Sequence, residues 1–266
     1  MTFVEADGVR LNVREDGPSD GPALLFCNSL GTDLHMWDPQ AAAMADRFRV
    51  VRFDARGHGR SDVPPGPYTL EGLGRDAVAV LDGLGIAHAS VCGISQGGQV
   101  AMWLAAAHPE RIDRAVFAST ATRIGTTDAW DVRIRLVREE GMARVATMAM
   151  GRFFTDRFRE EHPEIVRPMA DRVASMSADG YAASCRAVRD ADLSDMVGSI
   201  RAPSLIVVGR LDPGVSTADA ARLRASIPGG ELEVLEDASH LGNLEQPERF
   251  TALVQRFVDR SNEEDR

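Results

Sequence analysis

The chain has 266 residues, of which 44% are hydrophobic and 26% are charged, and its formal net charge at pH 7 is −10. This composition is typical of a globular domain and excludes a fibre or a disordered chain. All the basic side chains other than histidine are arginine, and acidic residues outnumber them by 40 to 30. This excess of negative charge argues against nucleic acid or an anionic membrane as a partner, because phosphate binding needs clustered positive charge.

The chain begins without the basic and long apolar segments of a signal peptide, and no apolar run reaches membrane-spanning length. Three cysteines, Cys27, Cys92 and Cys185, lie far apart and form no pair with disulfide or metal-ligand spacing. We therefore expect a cytoplasmic enzyme without a disulfide framework or a metal site.

Short apolar runs alternate with amphipathic stretches along most of the chain, which predicts an α/β fold with a mostly parallel sheet covered by helices. The predicted strands are 9–14, 23–27, 50–53, 90–92, 115–118, 205–208 and 231–235. The predicted helices are 70–84, 96–108, 217–227 and 247–259.

The middle of the chain lacks this alternation. Residues 122–196 contain helix-compatible stretches rich in Met, Arg and Ala, and no convincing strand. An all-helical insertion between two strand–helix halves predicts a cap over the carboxyl edge of the sheet, where ligands bind in open α/β folds. We expect a core domain formed by 1–121 and 197–266 and a helical cap formed by 122–196.

The most specific local motif is Gly93-Ile94-Ser95-Gln96-Gly97. It follows a predicted buried strand and opens a predicted helix, which is the context that a nucleophile elbow requires. The two glycines allow a sharp backbone turn, which places the serine at the sheet edge and at the positive end of the next helix. The motif predicts Ser95 as a catalytic nucleophile.

A serine nucleophile needs a general base, and His240 is the candidate whose position fits. It follows the last predicted strand and precedes the final helix. The third member must be a carboxylate that orients the imidazole. Asp212 comes directly after the strand at 205–208 and gives the chain order Ser, Asp, His expected of this fold. Asp237, three residues before His240, is the weaker alternative.

Acyl transfer also needs hydrogen-bond donors directed at the oxyanion. We predict the backbone N–H of Gln96, directly after the nucleophile, and that of Leu30, in the loop after the strand at 23–27. The glycine-rich loop at 54–61 lacks the ending of a phosphate-binding loop. For this loop we favour a structural role, in which Asp54 and Arg56 join neighbouring loops, over a catalytic role for His58.

Several segments, taken together, resemble the 3-oxoadipate enol-lactonases of the α/β-hydrolase fold. The segment that begins Asn28-Ser29-Leu30-Gly31-Thr32 is similar to their oxyanion loop, where many other hydrolases of the fold carry a His-Gly pair. The other matching segments are 93–104, 108–112, 118–125 and 239–247, so that the resemblance covers nearly the whole chain.

The resemblance implies hydrolysis of 3-oxoadipate enol-lactone to 3-oxoadipate in the breakdown of protocatechuate and catechol, with no metal or organic cofactor. Ser95 would attack the lactone carbonyl, and His240 would activate the water that frees the acyl chain. Because this substrate carries a carboxylate, its pocket should contain a cation. Trp130 and Arg133, three residues apart on one helix face, are candidates to cover the ring and pair with the carboxylate. Arg135, Arg138 and Arg144 are alternatives to Arg133.

Other functions stay open at the level of sequence. A broad carboxylesterase, a different lactonase or a cofactor-free perhydrolase would use the same three residues. Haloalkane dehalogenases and epoxide hydrolases are disfavoured, because they need an aspartate in place of Ser95. The fold also hosts receptors that bind a small ligand without turning it over. A burst of product from an activated ester would distinguish an enzyme from such a receptor.

Overall fold

A computed structural model describes residues 2–260 of the chain. Eight strands form one sheet in the order β1-β2-β4-β3-β5-β6-β7-β8. Their bounds are β1 Thr2–Ala6, β2 Val9–Asp16, β3 Ala23–Cys27, β4 Arg49–Phe53, β5 Ala89–Ile94, β6 Ile112–Ala118, β7 Ser204–Gly209 and β8 Glu231–Leu235. The pairs β1–β2 and β2–β4 are antiparallel, and the other five pairs of the described sheet are parallel. The predicted α/β class with a mostly parallel sheet is confirmed.

The register of the parallel strands brings the carboxyl ends of five strands to one edge of the sheet. Cys27 of β3 lies opposite Gly93 of β5, and the last residue of β5 lies opposite Ala118 of β6. Ala118 in turn lies opposite Val207 of β7, and Gly209 lies opposite Leu235 of β8. The loops that carry the predicted catalytic residues therefore emerge from the same carboxyl edge.

Ten helices accompany the sheet within the described residues. Their bounds are α1 Asp38–Met44, α2 Leu70–Gly83, α3 Gln96–Ala107, α4 Thr127–Phe153, α5 Asp156–Glu161, α6 Pro163–Ala174, α7 Ala178–Asp190, α8 Thr217–Ser226, α9 Gly242–Glu245 and α10 Pro247–Val258. Helix α3 packs against α2 and against β3, β5 and β6, while α1 packs against α10. No helix between residues 2 and 260 is both long and apolar enough to cross a membrane.

Four of these helices, α4 to α7, lie between β6 and β7, and we call them the cap helices. Residues 119–203, all of them described, contain no strand. Helix α4 is interrupted at Gly141, whose φ of 77° and ψ of 178° lie outside the helical region. The kink divides α4 into two halves that both line the site described below. The exact division of the chain into a core and a cap domain stays a prediction.

Among the strands and α-helices outside the cap, three were missing from the sequence prediction: β1, α1 and the four-residue α9. Strand β1 is an edge strand with three of its five residues exposed, so it carries little of the apolar signal that marks a buried strand. Helix α1 has only seven residues and begins at Asp38, with a proline in its first turn. All three cysteines are free and buried, as expected for Cys27 and Cys92.

Candidate active site

Ser95 occupies the turn between β5 and α3. Its φ of 58° lies in the left-handed region that a residue with a side chain seldom adopts. A Cβ at Gly97 would collide with the carbonyl of Cys27, so the close approach of α3 to the end of β3 requires glycine there. The Ser95 N–H donates to the carbonyl of Ala118 at 2.9 Å, which fixes the turn. This strand–turn–helix geometry is that of a nucleophile elbow.

His240 and Asp212 are in direct contact. The imidazole Nδ1 lies 2.8 Å from Asp212 Oδ2, and both side chains are buried. The other carboxylate oxygen accepts the N–H groups of Gly214 at 2.8 Å and Val215 at 3.2 Å. With Nδ1–H donating to Asp212, the Nε2 of His240 is left to accept a proton, which is the state that a general base requires.

The electrostatics of this pair keep the acid ionised and the base neutral. Burial opposes ionisation of Asp212, but the neighbouring His240 and the N–H of Gly214 outweigh it and lower the pKa of the carboxyl. Burial also lowers the pKa of His240; Asp212 opposes this shift, while Arg152 and Arg133 add to it. Asp237, the alternative acid, is exposed. The arrangement thus favours Asp212 as the orienting group.

The loop after β3 carries the first predicted oxyanion donor and is held on both sides. Asn28 Nδ2 donates to the carbonyl of Phe53 at 2.7 Å, and the N–H of Gly31 donates to His58 Nε2 at 3.1 Å. Between these anchors, the N–H of Leu30 has no acceptor within residues 2–260. The same holds, in the described part of the chain, for the N–H of Gln96 at the first position of α3.

His58 is buried and supports the loop through both of its ring nitrogens. Its Nδ1 lies 3.2 Å from the carbonyl of Arg56, so Nδ1 carries the hydrogen and Nε2 accepts from Gly31. Arg56 pairs with Asp76 of α2 through two contacts of 2.5 and 2.6 Å, and Asp54 accepts the N–H of Leu34 at 2.8 Å. Asp54 and Arg56 thus join separate segments of the chain, as predicted, and the absence of a catalytic role for His58 stays a prediction.

A cavity separates the oxyanion loop from the cap helices, and we call it the cap cavity. It is lined by Leu30, Gly31, Arg133, Leu136, Val145, Met148, Ala149, Arg152, Phe153 and Tyr181. A second cavity beside it, the side cavity, is lined by Ile124, Gly125, Ala129, Trp130, Arg133, Arg152, Pro213 and Gly214. Two guanidinium groups, those of Arg133 and Arg152, border both cavities.

The structure brings Trp130 and Arg133 together on α4. The guanidinium carbon of Arg133 lies 5.0 Å from the Trp130 ring centroid, within the range of a cation–π contact. The indole N–H donates to the carbonyl of Ile124 at 2.6 Å, so that Trp130 is also tied to the loop before α4. By contrast Arg135, Arg138 and Arg144, the predicted alternatives to Arg133, are exposed and line neither cavity.

Comparison with known proteins places the chain in a family. Residues 22–247 match the model of the α/β-hydrolase fold family. The chain is 44% identical to 3-oxoadipate enol-lactonase 2 of Acinetobacter baylyi, over 97% of this chain and 96% of that protein. The chain is a member of the 3-oxoadipate enol-lactonase family of the α/β-hydrolase fold. The resemblance predicted from the sequence is confirmed.

Solved structures agree with this family assignment. The enol-lactonase of Burkholderia xenovorans superposes with a TM-score of 0.95 at 38% identity, covering 97% of this chain and 100% of that one. A thermophilic esterase from Thermogutta terrifontis superposes with a TM-score of 0.90 at 27% identity, covering 97% of each chain. The family scaffold is therefore shared by lactonases and esterases, and specificity must come from the residues around the cavities.

Arg152 is the feature of this family member that sequence reasoning missed. Its Nε is buried and has no hydrogen-bond partner within residues 2–260. Burial and the neighbouring Arg133 lower the pKa of Arg152, whereas Asp212 opposes the shift. The Nε of Arg52 also lacks a partner within these residues, but the rest of that guanidinium contacts Asp16 at 2.5 Å and a second carboxylate at 2.6 Å. In the described part of the chain, Arg152 forms no such ion pair. The signal in the sequence is weak, because the apolar stretch at 142–154 contains both Arg144, which is exposed, and Arg152.

Proposed function

We propose that this chain is a serine hydrolase that opens 3-oxoadipate enol-lactone to 3-oxoadipate. The observation that carries the substrate assignment is the pair of arginines, Arg133 and Arg152, bordering a cavity beside the His240–Asp212 pair. Within residues 2–260 no carboxylate forms an ion pair with Arg152. An unpaired buried charge is costly to keep in a protein, and a bound carboxylate would supply the missing partner. The relatives named as enol-lactonases support the same substrate.

In the proposed mechanism, Ser95 Oγ attacks the lactone carbonyl while His240 Nε2 takes its proton. The N–H groups of Leu30 and Gln96 stabilise the negative charge that develops on the carbonyl oxygen, and each such donor contributes a factor of about 10²–10³ to kcat in a well-studied hydrolase. Collapse of the tetrahedral intermediate expels an enolate, which the imidazolium of His240 protonates. Asp212 stabilises that imidazolium throughout.

The second half of the reaction hydrolyses the acyl-enzyme and regenerates Ser95. Water, deprotonated by His240, attacks the acyl carbon bound to Ser95. The intermediate breaks its bond to Ser95 Oγ, which takes back the proton from the imidazolium, and the acid product is released. The enol formed in the first step tautomerises to the ketone. The steps on the enzyme each move a proton between His240 and an oxygen atom, whereas the tautomerisation moves the hydroxyl proton of the enol to carbon.

Arg133 and Arg152 would bind the free carboxylate of the substrate, and Trp130 would border the lactone ring. Because the cap helices cover the cavity, a carboxylate that enters it loses its hydration and needs charged donors in place of water. A neutral ester gains nothing from these groups. The two arginines therefore favour the charged lactone over neutral esters of similar size.

The decisive experiment compares kcat/KM for enol-lactone generated in situ with kcat/KM for a neutral aryl ester of similar size. A strong preference for the lactone supports the proposal. Equal or faster turnover of the neutral ester would favour the alternative of a broad carboxylesterase. Binding of either compound without a burst of product would indicate a receptor.

A further inference from the structure

The loop that carries His240 is attached to the end of cap helix α4 on both sides of the histidine. The hydroxyl of Ser239 donates to the carbonyl of Arg152 at 3.0 Å. The N–H of Leu241 donates to the carbonyl of Phe153 at 2.9 Å. The backbone at this end of α4 therefore contacts both neighbours of His240.

A carboxylate completes this attachment. Glu245, the last residue of α9, accepts the N–H of Ser239 through Oε2. Its Oε1 accepts both the N–H of Thr155 at 2.7 Å and the Thr155 hydroxyl at 2.8 Å. Thr155 is the N-cap of α5, where its Oγ1 accepts the N–H of Phe158 at 3.2 Å. One side chain thus joins the histidine loop to the connection between two cap helices.

The partners of Glu245 are backbone N–H groups and one hydroxyl. Burial raises the pKa of this carboxyl, and the donors from Thr155 and Ser239 oppose the rise. A partly buried carboxylate surrounded by such donors is held in one position. One of its oxygens accepts from the histidine loop, and the other accepts from the residue that precedes α5.

We propose that Glu245 is a positioning residue that fixes the location of the general base relative to the cap helices. The proposal rests on the proposed function, because it requires His240 to be the base. Through Ser239 the carboxylate sets the position of the adjacent histidine, and through Thr155 it makes that position depend on the placement of α4 and α5. Cap and base then move as one unit.

The amide of glutamine cannot replace this carboxylate. Donors face both oxygens of Glu245, so Glu245→Gln must turn its NH2 group toward either the N–H of Ser239 or the N–H of Thr155. Either orientation leaves one N–H without an acceptor and loosens one side of the attachment. The size of the side chain is unchanged, so packing is preserved.

The test is steady-state kinetics of Glu245→Gln on the enol-lactone and on a neutral aryl ester. Misplacement of a catalytic group by about 1 Å costs on the order of a hundredfold, so we expect kcat to fall between about ten- and a hundredfold on both substrates. We expect KM to change by less than about twofold, because the carboxylate site is untouched. The matched control is Glu248→Gln, because Glu248 is an exposed residue of α10. This variant should behave as wild type.

A second pair of variants tests the cap side without altering Glu245. Thr155→Val removes the hydroxyl donor and should lower kcat, whereas Thr155→Ser keeps it and should restore kcat to near the wild-type value. Kinetics are measured at a temperature where circular dichroism shows every variant to be folded, so that loss of folded protein is excluded.

The outcomes separate this proposal from the proposed function. If His240→Ala is inactive while folded Glu245→Gln keeps wild-type kcat on both substrates, Glu245 does not position the base. A rise in KM with unchanged kcat would likewise overturn the proposal. If His240→Ala retains activity, the proposed base itself is wrong and the positioning role falls with it.

Discussion

The ring of Phe153 lies parallel to the imidazole of His240, with 6.0 Å between the ring centroids and 9° between the ring planes. Phe153 ends cap helix α4 and also lines the cap cavity, whereas His240 belongs to the core. The ring therefore covers one face of the histidine with an apolar surface contributed by the cap. This contact helps to explain why His240 is buried and why burial lowers its pKa.

For the nucleophile, we expect Ser95→Ala to fold normally and to lower kcat by about 10⁴-fold or more, because no other group replaces the attacking oxygen. Circular dichroism and the midpoint of urea unfolding check the fold, and turnover of the neutral aryl ester checks the activity. A variant that kept more than about a tenth of wild-type turnover would remove Ser95 from the mechanism.

For the orienting acid, we expect Asp212→Asn to lose about 10⁴-fold in kcat, as the corresponding change does in a serine protease. The amide NH2 would meet either His240 Nδ1–H or the N–H groups of Gly214 and Val215. The control is Asp237→Asn, which should retain nearly full activity because that side chain is exposed. The opposite ranking of the two variants would make Asp237 the acid.

Substrate specificity tests the two arginines of the cavities. We expect Arg133→Ala and Arg152→Ala each to lower kcat/KM for the enol-lactone by about ten- to a hundredfold, the effect of losing one charged hydrogen bond of about 1.5–3 kcal/mol. The neutral ester should lose much less. Arg144→Ala, an exposed residue paired with Glu140, is the control. Equal losses on both substrates would indicate damage to the cap instead of loss of a carboxylate partner.

The acid limb of the pH–rate profile tests the electrostatic role of Arg152. The base must be neutral, so kcat/KM rises as pH increases through the pKa of His240 in the free enzyme. Because Arg152 lowers that pKa, Arg152→Gln should move the acid limb to higher pH. The neutral ester is used, so that carboxylate binding does not contribute. An unchanged limb, or a move to lower pH, would contradict the assignment.

His58 offers a prediction on stability. His58→Leu leaves the N–H of Gly31 and the carbonyl of Arg56 without their partners in the interior. We expect the free energy of unfolding to fall by about 1–3 kcal/mol, as measured by urea denaturation. His88→Leu is the control, since that ring is largely exposed. A His58→Leu variant as stable as the wild type would show that the loop at 28–32 does not depend on this histidine.

Local sequence was sufficient to predict the elements that form the catalytic edge. The elbow at Ser95 needs particular residues at particular spacings, because only glycine permits the turn and the close approach of α3 to β3. Asp212 follows a strand that an apolar run marks in the sequence, and His240 follows one that alternating apolar and acidic residues mark. Since parallel strands end at one edge, the order of these residues along the chain already implied that they would be neighbours.

Tertiary structure decided what surrounds that edge. Arg152 lies nineteen residues after Arg133, beyond the kink at Gly141, and no helical periodicity places two such residues at one cavity. The link from Glu245 to Thr155 joins positions ninety residues apart through hydrogen bonds that leave no pattern in composition or spacing. Local propensity and periodicity act over a few residues, whereas the packing of the cap helices on the core decides which distant side chains share a cavity.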